Sequence, residues 1–257
     1  MIKYLFVFLV LALIISQNAY TAKLDGLVLY LSFDDVSKDI IKDMSGNGND
    51  ATNHGAKPVD GKYGKALQFN GTTTWVTVES VPELNFGPKE SLTALCWARI
   101  TGAPSGQGNL LAKYAVGAGT TPFYGMFHNA NNKVHAYIRD KNSKLVDPWS
   151  KDIINDDKWH HIALVRDTAR KKVCLYVDGN LDFEGDDITE DLSNDVPLAI
   201  GRHTGEFLNG IVDEAMVFRK ALSQDEVKAS MDPVKFLAIS SNGKLTSAWG
   251  IIKTINM

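Results

Sequence analysis

Short apolar runs separated by turn residues constrain this chain more than any other feature. GLVLYLSF, TWVTVES, KVHAYIRD and KVCLYVDG are typical runs, and clusters of Gly, Asn, Asp and Pro stand between them. Runs of this length suit β-strands, and the turn residues let the chain reverse after each one. Many short strands at roughly even spacing predict an all-β, two-sheet antiparallel sandwich of the jelly-roll kind. Only SQDEVKASM reads as helix, with Ser223 as N-cap and Glu226 three residues on as the second half of a capping box. The expected fold is therefore a jelly roll over residues 23–231 with one short helix near its C-terminal end. The segment 232–257 is expected to be a C-terminal hairpin or tail. Asn242-Gly243 lies between two apolar runs there, and Trp249 is placed to pack.

Two hairpins can be paired from sequence. In WHHIALVRDTARKKVCLYVDG the turn falls around Thr168 to Lys171. Ile162, Leu164, Val173, Leu175 and Val177 then share the core face. His161, Ala163, Val165, Cys174 and Tyr176 share the other. In PFYGMFHNANNKVHAYIRD the turn is placed at Asn129 to Asn132. That puts Phe123 and Phe127 across from Val134, Ala136 and Ile138. Tyr124, Met126, His135, Tyr137 and Arg139 point the other way. Tyr124, His135, Tyr137 and Arg139 form a candidate ligand-binding face, and an ordinary solvated sheet face is the alternative. Trp97 and Trp159 sit among apolar neighbours and read as core anchors.

The N-terminus reads as a signal peptide over residues 1–22. Lys3 supplies its charge, and an apolar run from Tyr4 to Ile15 is followed by a small, polar exit. About 12 apolar residues cannot span roughly 30 Å of hydrocarbon as a helix. The mature protein is thus expected to be secreted or held at the cell surface, with no membrane span. A net charge of −3 without a basic patch argues against nucleic acid as a partner. Export would permit a disulfide between Cys96 and Cys174; two inert buried thiols are the alternative.

Several sites of chemistry can be tested on the residues. DMSGNGNDATNHG, Asp43 to Gly55, has the oxygen-and-glycine rhythm of an EF-hand loop. Its twelfth position is His54, however, where a bidentate Glu is required. The loop reads instead as a polar connection whose Asp43 and Ser45 bond nearby backbone amides. Glu184 and Asp186 in FEGDDITED begin a paired-carboxylate glycosidase pattern, but Ile188 and Thr189 break it, and the run reads as a loop. His160 and His161 are adjacent, so on a strand they face opposite ways and cannot chelate together. Asn70-Gly71-Thr72 is a formal glycosylation sequon.

The ordered motifs YLSFDD, DMSGNGNDA, GKYGKALQFNG, SLTALCWARI, DKWHHIALVRD, KKVCLYVDGN, LAIGR and FLNGIVDEAMVFRKALSQDEV resemble the laminin-G-like jelly rolls of the concanavalin A-like lectin and glucanase superfamily. The resemblance covers about Leu27 to Met231. It implies two curved sheets packed face to face. It also implies one structural calcium ion, with Asp213 as ligand, Asp34 as second carboxylate and Asn70 or Gly71 as a further oxygen donor. A turn-capping role for Asp213 is the alternative. The implied function is non-catalytic binding or adhesion, with a glycan or an extracellular protein as partner. The second reading is a glycan hydrolase or lyase with a divergent site.

Overall fold

The computed structural model describes residues 24–37, 39–102, 106–114 and 122–240. The predicted signal peptide, the Asn242-Gly243 turn and Trp249 fall outside them. In chain order the strands begin with β1 (Leu27–Leu31), β2 (Val36–Ser37), β3 (Ile40–Ile41), β4 (Ala51–His54), β5 (Lys57–Asp60), β6 (Lys65–Asn70) and β7 (Trp75–Val78). Next come β8 (Leu92–Ile100), β9 (Gly108–Lys113), β10 (Phe123–His128), β11 (Val134–Arg139), β12 (Leu145–Val146) and β13 (Trp159–Asp167). The last are β14 (Lys172–Val177), β15 (Asn180–Asp186), β16 (Leu198–Ile200), β17 (Arg202–His203), β18 (Glu206–Phe207) and β19 (Asn209–Phe218). Two helices, α1 (Gln224–Ser230) and α2 (Pro233–Ser240), follow.

Two antiparallel sheets form the sandwich. The first runs β15-β14-β13-β8-β19, and β19 then takes two partners: β6, backed by β5, along its first half and β1 along its second. The second runs β12-β11-β10-β9-β16-β7-β4-β3-β2. Leu29, Leu31, Leu67, Phe69, Leu92, Ile162, Leu164 and Leu175 from the first sheet meet Val76, Leu111, Met126, Ala136 and Ile200 from the second. A fully buried side chain of this size contributes about 1.5–3 kcal/mol through the hydrophobic effect.

The first sheet is buried on both faces. Its outer face carries Ala163, Val165, Cys174, Tyr176 and Met216, and these pack under Leu24, Leu222, Val227 and Phe236. The predicted capping box at Ser223 and Glu226 starts α1. α2 stands where the sequence reads as the start of a hairpin. Asp232 supplies its cap, accepting the Lys235 amide at 3.1 Å, and Pro233 occupies its first turn. An Asp-Pro pair at a helix start is a legible signal, here overridden in reading by the apolar residues after it.

The hairpin of β13 and β14 has the predicted turn and faces. Asp178 and Gly179, with φ of 51° and 73°, make the tight turn into β15. Glu184 and Asp186, read as loop, lie on that edge strand and pair with Arg170 and Lys172. Trp97 is buried, but on the outer face of the first sheet against Tyr63, and Trp159 is only half-buried.

Cys96 and Cys174 are both free. Cys96 pairs in register with Ile162 and points between the sheets, whereas Cys174 pairs with Val165 on the opposite face. The expected disulfide is therefore absent, because the sheet itself stands between the thiols.

The DMSGNGNDA loop lies along the free edge of β1. Asp43 Oδ1 accepts the amides of Tyr30 and Ser45, and its Oδ2 accepts the Asn49 amide and the Ser45 hydroxyl. Asn47 and Asn49 side chains donate to the Val28 carbonyl. Side chains thus satisfy the row of backbone groups that a neighbouring strand would otherwise satisfy. Asp43→Ala leaves several buried amides unpaired and should lower unfolding free energy by about 2–4 kcal/mol in denaturant titration; a change below about 0.5 kcal/mol would contradict this role.

Candidate functional site

The outer face of the second sheet is the candidate site, and its composition depends on one turn. The β10–β11 loop contains one more residue than the sequence suggested. Asn129 accepts the amides of Asn131 and Lys133, Asn132 takes φ of 61°, and His128 pairs with Val134. A one-residue shift moves every side chain of a strand to the other face. Tyr124, predicted on the ligand face, therefore points into the core. Its hydroxyl donates to the Leu84 carbonyl at 3.1 Å and its ring meets Phe86 edge-on. Phe123 and Phe127 take the outer face instead, beside His135, Tyr137 and Arg139 as predicted.

Small residues occupy the middle of this face. Tyr137, Gly125, Ala112, Ala199 and Thr77 are successive register partners across β11, β10, β9, β16 and β7. A Cβ on Gly125 would stand 2.3 Å from that of Ala112, so only glycine fits. Tyr114 fills the hollow: its ring touches Phe123 at 4.8 Å and Phe127 at 6.1 Å, the two residues that flank Gly125.

The β17–β18 hairpin bends over the same face. His203 packs on Tyr114 at 4.4 Å and on Phe127 at 5.1 Å. Glu206 accepts the Gln107 amide at 2.7 Å, which ties the hairpin down. Beyond it, Phe207 meets Trp75 at 6.2 Å, Trp75 stacks on His54 at 4.5 Å, and Arg202 lies over the Trp75 ring.

Trp149 closes the opposite end. It bridges to His135, and the two rings stack at 3.7 Å and 23°. His135 in turn lies 3.8 Å from Tyr137. Trp149 remains 39% exposed, so one indole face rests on a buried histidine and the other meets solvent. The sequence reading missed Trp149, Tyr114, His203 and Trp75. Trp149 follows Asp147-Pro148, which reads as a turn rather than as a segment bound along β11.

The residues expected to hold calcium are only partly brought together. Asp34 Oδ1 accepts the Lys65 amide and Asp213 Oδ2 accepts the Tyr63 amide, so both carboxylates close on the turn that leads into β6. Glu214 joins them, accepting the Tyr30 hydroxyl at 2.5 Å. Asn70 does not. It pairs with Asn209, four residues along β19 from Asp213 and about 13 Å away. Its side chain instead accepts the amides of Thr72 and Thr73. Among the described residues no group of three His, Cys, Asp or Glu is disposed to hold a metal ion. The predicted three-residue calcium set is thus not assembled.

His160 and His161 face opposite ways, as expected. His160 lies between Asp178 and Asp156, at 2.8 and 3.0 Å, and hydrogen bonding to Asp178 raises its pKa. His161 is buried against Trp97.

A family model for the concanavalin A-like lectin/glucanase superfamily, of the laminin-G type, matches residues 70–228. The chain belongs to this superfamily. No curated protein matches it in sequence. Solved structures share the superfamily fold at low identity. The binding domain of Paraclostridial Mosquitocidal Protein 1 superposes with a TM-score of 0.66 at 19% identity, over 81% of this chain and 52% of that one. Domain 4 of AbnA, a GH43 extracellular arabinanase from Geobacillus stearothermophilus solved with arabinotriose, gives 0.62 at 19%, over 80% and 98%. The ligand-binding domain of botulinum neurotoxin serotype D with N-acetylneuraminic acid gives 0.64 at 14%, over 83% and 52%. The chain thus spans about half the length of the toxin domains and nearly all of the arabinanase domain.

Three histidines of this jelly roll are buried in neutral form. Desolvation holds His128, His135 and His161 down to about 4, and none of their ring nitrogens has a hydrogen-bond partner among the described residues. The nearest opposing charges are Asp147 for His135 and Asp178 for His161. Between the ordinary histidine value near 6.5 and about 4 the unfolded chain binds protons that the folded one does not, so stability falls as pH falls through that window. His160 acts oppositely: its contribution is complete below the ordinary value and lost as pH rises through its raised one. The melting temperature should drop by about 5 °C or more from pH 7 to pH 5, and His161→Phe should flatten the decline. A flat profile in the wild type would count against this account.

Proposed function

We propose that this protein is a non-catalytic glycan-binding module, exported through its N-terminal segment, whose ligand lies on the outer face of the second sheet. One observation carries the reading: Trp149 offers a free indole face while its other face is fixed by stacking on buried His135. A pre-positioned aromatic ring loses little freedom on binding, so contact with the apolar face of a sugar is favourable. Asp147 and Lys151, both exposed, stand nearby to bond sugar hydroxyls. Two structural neighbours were solved with arabinotriose or N-acetylneuraminic acid, which supports a glycan over a protein partner.

Catalysis has less support. Glu184 and Asp186 lie on the edge strand of the other sheet, each bonded to a cation. Among the described residues no helix is long and apolar enough to cross a membrane.

A glycan array that includes arabinan fragments and sialylated glycans, run with and without calcium, tests the proposal. Saturable binding without turnover is expected. Trp149→Ala should weaken it at least tenfold, about 1.4 kcal/mol, measured at a temperature where the variant is still folded. Retained binding in that variant would move the site elsewhere, and turnover lost in Glu184→Gln would restore the enzyme reading.

A further inference from the structure

The cover over the outer face of the first sheet contains a groove of about 350 Å³ beside α1. Phe218 and Leu222 form its floor, and both are buried. Leu24 makes one wall, held to the end of β19 by the bond from the Arg219 amide to the Gly26 carbonyl at 2.7 Å. Phe236 of α2 closes one end, its ring 6.1 Å from that of Phe218. α1 makes the other wall, where Ala229 is exposed and small. A cavity of this size lies at the lower end of the range in which proteins enclose organic groups.

The rim of the groove is acidic. Lys220 is bonded to Glu226 at 2.6 Å, so these two charges offset each other. The exposed carboxylates of Asp25 and Asp225 then set the sign. An apolar floor under an acidic rim fits a segment with both apolar and cationic side chains. Two copies meeting about a twofold axis would set one acidic rim against another, which is repulsive. A fitting segment follows α2 directly. Residues 241–257, outside the described residues, read SNGKLTSAWGIIKTINM. They hold Lys244 and Lys253, no Asp or Glu, and the apolar Leu245, Trp249, Ile251 and Ile252. Phe236 lies four residues before Ser240, about 6 Å of helix. Nine extended residues from Ser240 to Trp249 reach roughly 30 Å, more than the return to Phe236 requires.

We propose that residues 241–257 of this chain lie along the groove as a strap, with the Trp249 indole on Phe218, Leu222 and Phe236. Trp249 stands between Ala248 and Gly250, whose small size lets the backbone approach closely. Lys244 and Lys253, five residues before it and four after, meet Asp25 and Asp225. The rim carboxylates also accept the indole N–H, for which a buried tryptophan needs a partner. The strap completes the cover that Leu24 and the two helices begin, and it leaves the outer face of the second sheet untouched.

Thiol cross-linking of the full chain tests this. Ala229→Cys with Ala248→Cys places one thiol on the α1 wall and one beside Trp249. With oxidised glutathione this pair should close an intramolecular disulfide at least tenfold faster than Asn142→Cys with Ala248→Cys. Asn142 stands in the β11–β12 turn of the other sheet, and both Ala229 and Asn142 are exposed, so the substitutions spare the core. Cys96 and Cys174 are buried and take no part. Adding Trp249→Ala should abolish the difference between the pairs. Equal rates in the two pairs, or a difference that survives Trp249→Ala, would overturn the proposal. An intermolecular disulfide through Ala229→Cys that forms faster as protein concentration rises would overturn it in favour of a second copy. Preferential closure between Ala229→Cys and Ala12→Cys in the uncleaved chain would overturn it in favour of the N-terminal segment.

Discussion

β19 changes partner half-way along its length, and the rest of the first sheet depends on how that seam is closed. Asn209–Val212 pair with β6, and Ala215–Phe218 pair with β1. Between them Asp213 and Glu214 form an irregularity in the pairing with β8, with Glu214 at φ of 53°. Two strands thus meet end to end beside one, which breaks the ladder and leaves amides at the junction. Asp213 and Asp34 accept those of Tyr63 and Lys65, and Tyr30 donates its hydroxyl to Glu214. Burial beside Glu214 raises the Tyr30 pKa well above its ordinary value, so the tyrosine stays a donor. Carboxylates that resemble cation ligands in sequence here act as acceptors for backbone.

The two sheets have unequal outer faces, and that inequality places the function. Leu24 and the two helices cover the outer face of the first sheet, and the residues beneath them are apolar and enclosed. The β17–β18 hairpin bends over part of the second. Its outer face is instead laid with rings held in place by one another, over a floor of Gly125, Ala112 and Ala199. Polar and aromatic side chains fixed on strands are held more firmly than side chains on loops. Phe123, Phe127, His135 and Tyr137 of this face stand on strands.

The sandwich, the β13–β14 hairpin and the capping box at Ser223 were all legible, because period, turn chemistry and capping are local signals. The polar role of Asp43 and Ser45 was legible for the same reason. The candidate face was legible only in part. His135, Tyr137 and Arg139 share it, but Tyr124 was lost to the core because the length of a loop between Asn129 and Lys133 decides the register, and composition does not reveal that length. Trp149, Tyr114 and His203 come from three separate segments, and nothing in their spacing says that they meet. Cys96 and Cys174 looked pairable from their number and were not, since opposite faces of one sheet cannot be inferred without register.

The loop from Asp43 to Asp50 has a consequence for the fate of the chain before and after folding. β1 reads LVLYL, every residue of it buried, with strong strand preference and no charge. Such a segment with an open edge is a template for joining other chains into aggregates. Asn47 and Asn49 hold that edge with amide groups that cannot themselves be extended by a further strand. The polar loop is thus a guard on an apolar, uncharged strand edge, and its asparagines bear on solubility as much as on fold.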